Sequence, residues 1–288
     1  MFNTTNKILV PVDFSEQSLI ALTQSYNLAQ KIGAEIVLLY VIEEVNPMIK
    51  LMYKEFNEIR GAVEGNLKNL AEEKAKETGL NIIPMISDGK IYTKIVEVAE
   101  DINATFIVMG TKGSENAKFI GSNANKVVKT APCPVITIKG KTHRKGCEKI
   151  VLPLDLTKET SDKVNKAIAF AKLFEAEVYI VSVLLTGKEE VVDKLKDQLI
   201  ITKNYIQKHE VKCVAEIVKI LKSEETLANA VIKYAEKIEA DLVMIMTQQE
   251  KEIKKLFIGS KAKEVINHSN IPVLSIHPSE KDRLEIIQ

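Results

Sequence analysis

Two stretches, KILVPVDFSEQS at residues 7–18 and KIVLPLDLTKET at residues 149–160, decide the fold of this chain. Both read lysine, three apolar residues, proline, an apolar residue, aspartate, an apolar residue and a hydroxyl residue. Two further pairs follow in the same order: FIGSNANKVV (119–128) with FIGSKAKEVI (257–266), and APCPVITI (131–138) with SNIPVLSI (269–276). Three matched blocks in one order indicate a duplicated domain of about 140 residues.

The basic, glycine-containing stretch KGKTHRKGCE (139–148) lacks apolar periodicity and is the best place for the joint between the copies. We therefore expect one domain at residues 1–140 and a second at residues 147–280. With 288 residues, two domains of ordinary size are also what the chain length suggests.

Each copy alternates short apolar runs with helical patterns. Runs rich in Ile, Leu and Val suit strands buried on both faces of a parallel sheet, and the intervening segments have helical spacing of apolar residues. Parallel strands joined by helical crossovers predict an α/β fold, here two tandem doubly wound parallel five-stranded sheets. The predicted strands are 7–12, 36–41, 82–87, 105–109 and 134–138, then 149–154, 177–183, 211–219, 241–246 and 272–276. The predicted helices are 15–32, 56–78, 91–102 and 123–130, then 160–174, 188–209, 224–238 and 261–268.

The last strand of each copy would leave an exposed apolar edge. Pairing the two edges would bury both, so that the chain folds as its own pseudo-dimer. The charged runs at 64–77 and 188–208 predict solvated helix faces.

Composition excludes several functions. The net charge is +1 and aromatic residues make up 5% of the chain, which argues against a nucleic-acid partner. No apolar run reaches the ~20 residues that a membrane helix requires. The start of the sequence lacks the features of a secretory signal, and three scattered cysteines favour a reducing cytoplasm. The four histidines show no metal-ligand spacing, so no metal site is predicted.

A glycine loop follows the fourth strand of the first copy. Gly110 and Gly113 lie three apart, seven residues follow, and Gly121-Ser122 opens a helix. Glycines let backbone amides approach a ligand closely, and a helix N-terminus attracts an anion. The loop therefore suits a phosphate, although turn residues and helix capping explain the same letters.

These motifs resemble the universal stress protein family over nearly the whole chain and in both copies. The resemblance rests on VPVDFS (10–15), the 110–122 loop, PCPVITI (132–138) and their second-copy counterparts. It implies a Rossmann-like fold of the adenine nucleotide alpha hydrolase type, a dimeric cytoplasmic stress-response protein, and ATP or AMP as cofactor, with Mg²⁺ accompanying ATP.

Carried over residue by residue, the resemblance places Asp13 and Val41 beside adenosine. The remaining nucleotide-binding residues that we expect are Pro11 and Val12, and around the phosphates Gly110, Gly113, Gly121, Ser122 and Asn123.

Both copies depart from the family pattern of G-x-x-G, nine residues and G-S/T. The first copy has seven residues where nine are expected, and the second has Met246 and Gln249 in place of glycines. We therefore expect nucleotide in the first copy and a degenerate site in the second.

No catalytic residue is predicted. Asp13 and Asp155 each follow a first strand, but neither has an acid, nucleophile or metal partner in the sequence, and ordering the following loop or capping the helix explains both. A nucleotide-free dimeric interaction module and a weak ATPase are the alternatives.

Overall fold

The computed structural model describes residues 6–43, 54–111, 121–140, 146–154, 160–184, 189–220, 225–247 and 260–276. Within these ranges the N-terminal domain contains β1 (Lys7–Pro11), α1 (Glu16–Ile32), β2 (Glu35–Ile42), α2 (Lys54–Thr78), β3 (Ile82–Asp88), α3 (Ile91–Asp101), β4 (Phe106–Gly110), α4 (Ser122–Thr130) and β5 (Val135–Ile138). The C-terminal domain contains β6 (Lys149–Pro153), α5 (Thr160–Phe174), β7 (Glu177–Leu184), α6 (Glu189–Lys208), β8 (Cys213–Lys219), α7 (Leu227–Lys237), β9 (Leu242–Met246), α8 (Ser260–His268) and β10 (Val273–Ile276).

The ten strands lie in the order β3-β2-β1-β4-β5-β10-β9-β6-β7-β8. Each domain supplies five parallel strands, as predicted, and strand order reverses direction between the first and fourth strands of each domain. This reversal is the topological switch point of a doubly wound sheet, where ligands bind outside the carboxyl ends of the strands.

The predicted pairing of the two last strands is confirmed. β5 and β10 run antiparallel, with Ile136 opposite Leu274, its equivalent in the repeat. A local twofold axis therefore passes beside this residue pair, and the two five-stranded sheets join into one continuous sheet. The edges that each domain alone would expose are buried, which removes a site of aggregation.

Two helical layers cover the sheet. Helices α1, α2, α5 and α6 pack on one face and α3, α4, α7 and α8 on the other. Successive residues of each strand alternate between these cores: Ile8 and Val10 face the first layer, and Leu9 faces the second. Both cores extend through the two domains. The rings of Phe106 and Phe170 pack against each other across the domain interface, with 6.1 Å between their centroids.

Local sequence signals end the helices where expected. Gly33 ends α1 in the left-handed conformation at φ 61°, and its amide donates to the Ala29 carbonyl. Glycine adopts this conformation at little cost, which is why it is frequent after a helix. Cys133, two residues before β5, is fully buried and packs in the core.

Candidate functional site

A cavity of about 260 Å³ lies at the switch point of the N-terminal domain. Its walls come from the carboxyl ends of β1, β2 and β4 and from the first turns of α1, α3 and α4. Most of the residues predicted to bind nucleotide line this cavity: Pro11, Val12, Asp13, Val41, Gly110, Gly121, Ser122 and Asn123. Gly113, the ninth, lies outside the described residues.

Asp13 orders the turn that opens α1. One oxygen of its carboxylate, Oδ1, accepts hydrogen bonds from the backbone amide of Ser15 at 3.0 Å and from the Ser15 hydroxyl. Ser15 is the N-cap of α1, and its hydroxyl oxygen accepts from the amide of Ser18 at 3.3 Å. The loop-ordering role that the sequence offered as an alternative to catalysis is therefore present.

These contacts fix the charge of Asp13. Desolvation acts to raise the pKa of its carboxyl, but the hydrogen bonds from Ser15 and Ser18 outweigh it, and the pKa lies below its ordinary value of 3.8. The carboxylate is therefore ionised at neutral pH. It can accept hydrogen bonds from a ligand's amino or hydroxyl groups, and it lacks the proton that a general acid would need.

The backbone before Ser15 bends sharply. Phe14 has a positive φ of 60°, and its ring stacks on Tyr40 of β2 with 5.4 Å between centroids. A bulky residue in this conformation is strained, and such residues persist where surrounding contacts hold them. The aromatic contact thus holds the β1–α1 turn at the side of the cavity.

The two ends of the glycine loop meet at the cavity. The Gly121 amide donates to the Thr111 carbonyl at 2.8 Å, and the Thr111 amide donates to the Ile138 carbonyl at 3.0 Å. The loop between them, residues 112–120, lies outside the described part of the chain. These two hydrogen bonds hold Thr111 and Gly121, the described residues on either side of the loop, next to each other and to the end of β5.

The N-terminus of α4 is suited to an anion. Its N-cap is Gly121, which makes no side-chain capping hydrogen bond, and the helix begins with Ser122, Asn123 and Ala124 at the cavity wall. The first amides of a helix lack partners within the helix and have a partial positive charge. Carboxylate or phosphate oxygens are the groups that such a terminus attracts.

Gly110 has a packing role that the sequence did not reveal. A Cβ atom on Gly110 would lie 2.9 Å from the backbone oxygen of Gln17 and 3.0 Å from its carbonyl carbon. The first turn of α1 therefore requires glycine at the end of β4, whether or not a ligand is bound. Packing alone is therefore enough to explain the glycine at position 110, and in this respect Gly110 differs from Gly121.

Several cavity residues were missed by sequence reasoning. They are Ser15, Ser18, Leu39, Ile91, Ile95, Met109, Thr111 and Ala124. Ile91 and Ile95 could have been found, because they lie one turn apart at the start of the helix that follows the third strand. They supply an apolar wall near Val41, as the planar face of a base would require.

The equivalent edge of the C-terminal domain is built differently. There the ammonium group of Lys163 donates to the Pro153 carbonyl at 2.6 Å, and the Ser182 hydroxyl donates to the Leu154 carbonyl at 2.9 Å. The N-terminal residues at these two positions are Ala21 and Tyr40. Met246 ends β9 at the position of Gly110. Asp155 and Gln249 lie outside the described residues.

The fold and the cavity define a duplicated, doubly wound α/β protein with a crevice at the carboxyl ends of its strands. The model of the universal stress protein family matches the chain twice, at residues 4–139 and 146–277. The chain therefore belongs to the universal stress protein family, as a tandem member with two domains.

The chain is also similar to individual proteins. Universal stress protein MJ0531 of Methanocaldococcus jannaschii is 32% identical over 143 residues, which are 48% of this chain and 84% of that protein. A universal stress protein of Archaeoglobus fulgidus has a TM-score of 0.74 at 21% identity, covering 95% of this chain and 99% of the other. Another structure from Archaeoglobus fulgidus is of a universal stress protein in complex with dAMP, with a TM-score of 0.38 at 23% identity, covering 45% of this chain and 97% of the other.

Among the helices that the structure describes, none combines the length and apolarity needed to cross a lipid bilayer.

Proposed function

We propose that the N-terminal domain binds an adenine nucleotide, ATP or AMP, and that the C-terminal domain has lost this site. In this proposal the chain is a non-enzymatic cytoplasmic stress-response protein, and Mg²⁺ enters only as the companion of ATP. The observation that supports the proposal is the convergence of the cavity walls: an ionised aspartate, apolar side chains and an uncapped helix N-terminus around one space.

Each part of the cavity suits a different part of the ligand. Val41, Ile91 and Ile95 offer apolar surface to a base, and the Asp13 carboxylate can accept hydrogen bonds from a sugar hydroxyl or an amino group. The amides at the start of α4 and the Ser122 hydroxyl donate toward phosphate oxygens. Asp13 follows β1, whereas α4, whose N-terminus attracts anions, follows β4. A ligand that contacts both groups is therefore bound in one orientation.

The same chemistry supports the proposed loss of the C-terminal site. At the end of β6, the Pro153 carbonyl accepts a hydrogen bond from the Lys163 ammonium group. The Lys163 side chain thus reaches the carboxyl end of β6, whereas the residue at the equivalent position of the first domain, Ala21, is too short to make this contact. The side chain of Met246 in place of Gly110 adds bulk at the fourth strand.

The test uses one matched pair of substitutions, Ser122→Asp in α4 and Ser260→Asp in α8. Both residues begin the last helix of their domain. Aspartate in the first turn stabilises a helix by about 0.3–1 kcal/mol, so both variants should fold. A fixed negative charge next to a phosphate should nevertheless lower nucleotide affinity, and we expect a loss of roughly 30-fold for Ser122→Asp and none for Ser260→Asp.

Affinity is measured by titration calorimetry with ATP and AMP and by the ligand-dependent rise in melting temperature, which mass action requires of any ligand of the native state. Equal losses in both variants would contradict the one-site proposal. No binding by the wild-type chain would favour the nucleotide-free interaction module. Phosphate release that disappears in Asp13→Ala, and is absent from a mock preparation, would favour the weak ATPase.

A further inference from the structure

The outer face of α6 has an unusual concentration of exposed apolar side chains. Within the described residues, the large apolar side chains exposed to solvent are Ile59, Ile200, Ile201 and Tyr205. The last three lie within two turns of α6, and Ile201 is 67% exposed. We refer to Ile200, Ile201 and Tyr205 as the α6 strip.

Core packing does not explain the α6 strip. The residues of α6 that contact the core are Val192, Leu195, Leu199 and Ile206, and these are buried on the opposite side of the helix. Because Ile201 and Tyr205 are four residues apart, they lie next to each other on the outer surface. In the described part of the run at 188–208, which the sequence predicted to be a solvated charged face, the exposed charged residues are interrupted by exposed apolar ones.

The corresponding helix of the N-terminal domain, α2, has a charged outer surface. The outer surface of α2 has ion pairs between residues three or four positions apart: Arg60 with Glu64, Lys68 with Glu72, and Lys74 with Glu77. The same place in the fold is therefore compatible with a charged surface. The fold therefore does not require the α6 strip. Charged pairs at these positions would have left less apolar surface exposed to water.

Tyr205 is held in place before any partner arrives. Its hydroxyl donates to Asn165 Oδ1 of α5 at 2.9 Å, and its ring contacts the His209 ring with 4.6 Å between centroids. A tyrosine fixed in one rotamer loses little entropy on binding, and tyrosine is frequent among the residues that dominate interface energy.

We propose that the α6 strip is the centre of a homodimer interface in which α6 of two chains pack antiparallel about a twofold axis. A twofold axis passing between Ile200 and Ile201 places Ile200 of each chain against Ile201 of the other, and Tyr205 of each chain opposite Lys196 of the other. It also places the exposed Asp193 of one chain opposite the exposed Lys208 of the other, and Asp197 opposite Asn204. The surface is therefore complementary to itself in charge, as a twofold interface demands, although Asp193 also forms an ion pair with Lys196 of its own chain at 3.2 Å.

The neighbouring sheet edge favours helix packing over strand addition. β8 is the terminal strand of the ten-stranded sheet, and it presents the exposed charged residues Glu216 and Lys219. Charges on an edge strand discourage pairing with another strand. The apolar surface of α6 and its charged flanks instead match the apolar centre and polar rim of a protein interface.

Sedimentation velocity over a concentration series tests the dimer with the full chain. We expect a reversible monomer–dimer equilibrium whose Kd rises at least tenfold in Ile201→Glu and in the neutral variant Ile201→Gln. The matched control is Ile59→Glu on α2, a residue 61% exposed, which should leave the Kd unchanged. Ile201 lies largely outside the core, so the circular dichroism and melting temperature of the monomer should match those of the wild type.

Charge reversal tests the orientation of the two helices. Asp193→Lys and Lys208→Asp should each weaken the dimer, and the double variant should restore it, because both cross-chain pairs are then reversed. A wild-type chain that stays monomeric at roughly 0.5 mM overturns the proposal, since its Kd would then lie in the millimolar range or above. A dimer that resists Ile201→Glu, equal effects of Ile59→Glu and Ile201→Glu, or failure of the double variant to restore association also overturns it.

Discussion

The two domains share a sheet topology and differ at the carboxyl edge of that sheet. In the N-terminal domain a cavity opens beside Asp13 and the uncapped start of α4. In the C-terminal domain the Lys163 ammonium group and the Ser182 hydroxyl bind strand-end carbonyls, and Met246 replaces Gly110. Both domains keep a closed apolar core on each face of the sheet, so these differences at the carboxyl edge do not come from the core.

This contrast separates the demands of folding from those of binding. A buried strand in either copy keeps its apolar residues, because each methylene moved into water costs about 0.8 kcal/mol. The edge of the sheet is under no such constraint. Under the proposed function one copy supplies the ligand site, and the second copy can then change residues at this edge and remain folded.

The largest difference in stability between equivalent positions of the two domains is expected for Gly110→Val. A Cβ atom at this position meets the backbone of Gln17 at 2.9 Å, so α1 or β4 must shift. Overpacking of this kind costs about 3 kcal/mol, and we expect that loss in the free energy of unfolding. In the second domain, Met246→Val should cost less than about 1.5 kcal/mol, because a side chain is already accommodated there.

Urea unfolding followed by circular dichroism measures both variants of the fourth strands. If Gly110→Val is as stable as the wild type, packing is not the reason for the glycine. Nucleotide binding would then be the better explanation of that residue, and the difference between the two crevices would be entirely functional.

The interface between the domains gives a second comparison, at positions related by the local twofold axis. The Thr137 hydroxyl donates across the interface to the Val273 carbonyl at 3.3 Å, whereas the equivalent Ser275 hydroxyl is buried and has no hydrogen-bond partner within the described structure. We expect Thr137→Val to lose about 1 kcal/mol of unfolding free energy. Ser275→Ala should gain about 1 kcal/mol, because it removes a desolvated group that nothing satisfies.

Thermal and urea unfolding of the single and double variants check this asymmetry. The two effects should nearly cancel in the double variant if the sites act independently. Destabilisation by Ser275→Ala would show that its hydroxyl has a partner in solution, such as a buried water molecule.

Much of this architecture could be predicted from the sequence. The repeated motif fixed the duplication, and the short apolar runs placed all ten strands because buried parallel strands have a distinctive composition. Topology then indicated the crevice, since parallel strands bring their carboxyl ends to one edge. The pairing of β5 with β10 followed from two apolar edges that had no other cover.

Contacts between distant side chains could not be read in the same way. The reach of Lys163 to Pro153 depends on how α5 crosses β6, and the Gly110 contact depends on the depth of α1. The sequence did not reveal the α6 strip, because its apolar residues lie among lysines and aspartates. The composition of such a run does not tell which apolar residues face the core and which face the solvent. These features depend on tertiary geometry, which local periodicity does not specify.

The state of charge of Asp13 gives a third way to sharpen the comparison of the crevices. Its hydrogen bonds with Ser15 lower the pKa of the folded carboxyl below 3.8. The stabilisation is therefore fully present above the pKa of the unfolded chain and is lost as pH falls through the folded pKa. We expect Asp13→Asn to cost about 1 kcal/mol at pH 7, a value reduced for solvent screening of an exposed group.

Urea unfolding at pH 7, 5, 4 and 3 tests the sign of this effect. The difference between the wild type and Asp13→Asn should shrink below about pH 4, because the wild-type carboxyl is then increasingly protonated. A difference that grows on acidification would mean that the folded state prefers the neutral acid at position 13.

The smallest effect concerns the ion pair that joins α2 to the end of β3, beside the adenosine side of the proposed site. The Arg60 guanidinium donates from Nη1 to both oxygens of Asp88 at 2.8 Å and from Nε to Glu64 at 3.0 Å. These contacts raise the pKa of Arg60, chiefly through its hydrogen bond with Asp88. Both side chains are about one-third exposed, so Arg60→Ala should cost only about 0.5 kcal/mol, and less in high salt.

Lys196→Ala provides the matched test in the second domain, because Lys196 forms an exposed pair with Asp193 at 3.2 Å within α6 itself. An ion pair within one helix does not connect that helix to the sheet. Its removal should therefore change the free energy of unfolding by less than the removal of Arg60. Urea unfolding at 0.05 M and 1 M NaCl compares the two variants. If Arg60→Ala lost more than about 2 kcal/mol, independently of salt, the pair would behave as a buried one. The turn before α3, and with it the wall formed by Ile91 and Ile95, would then depend on Arg60.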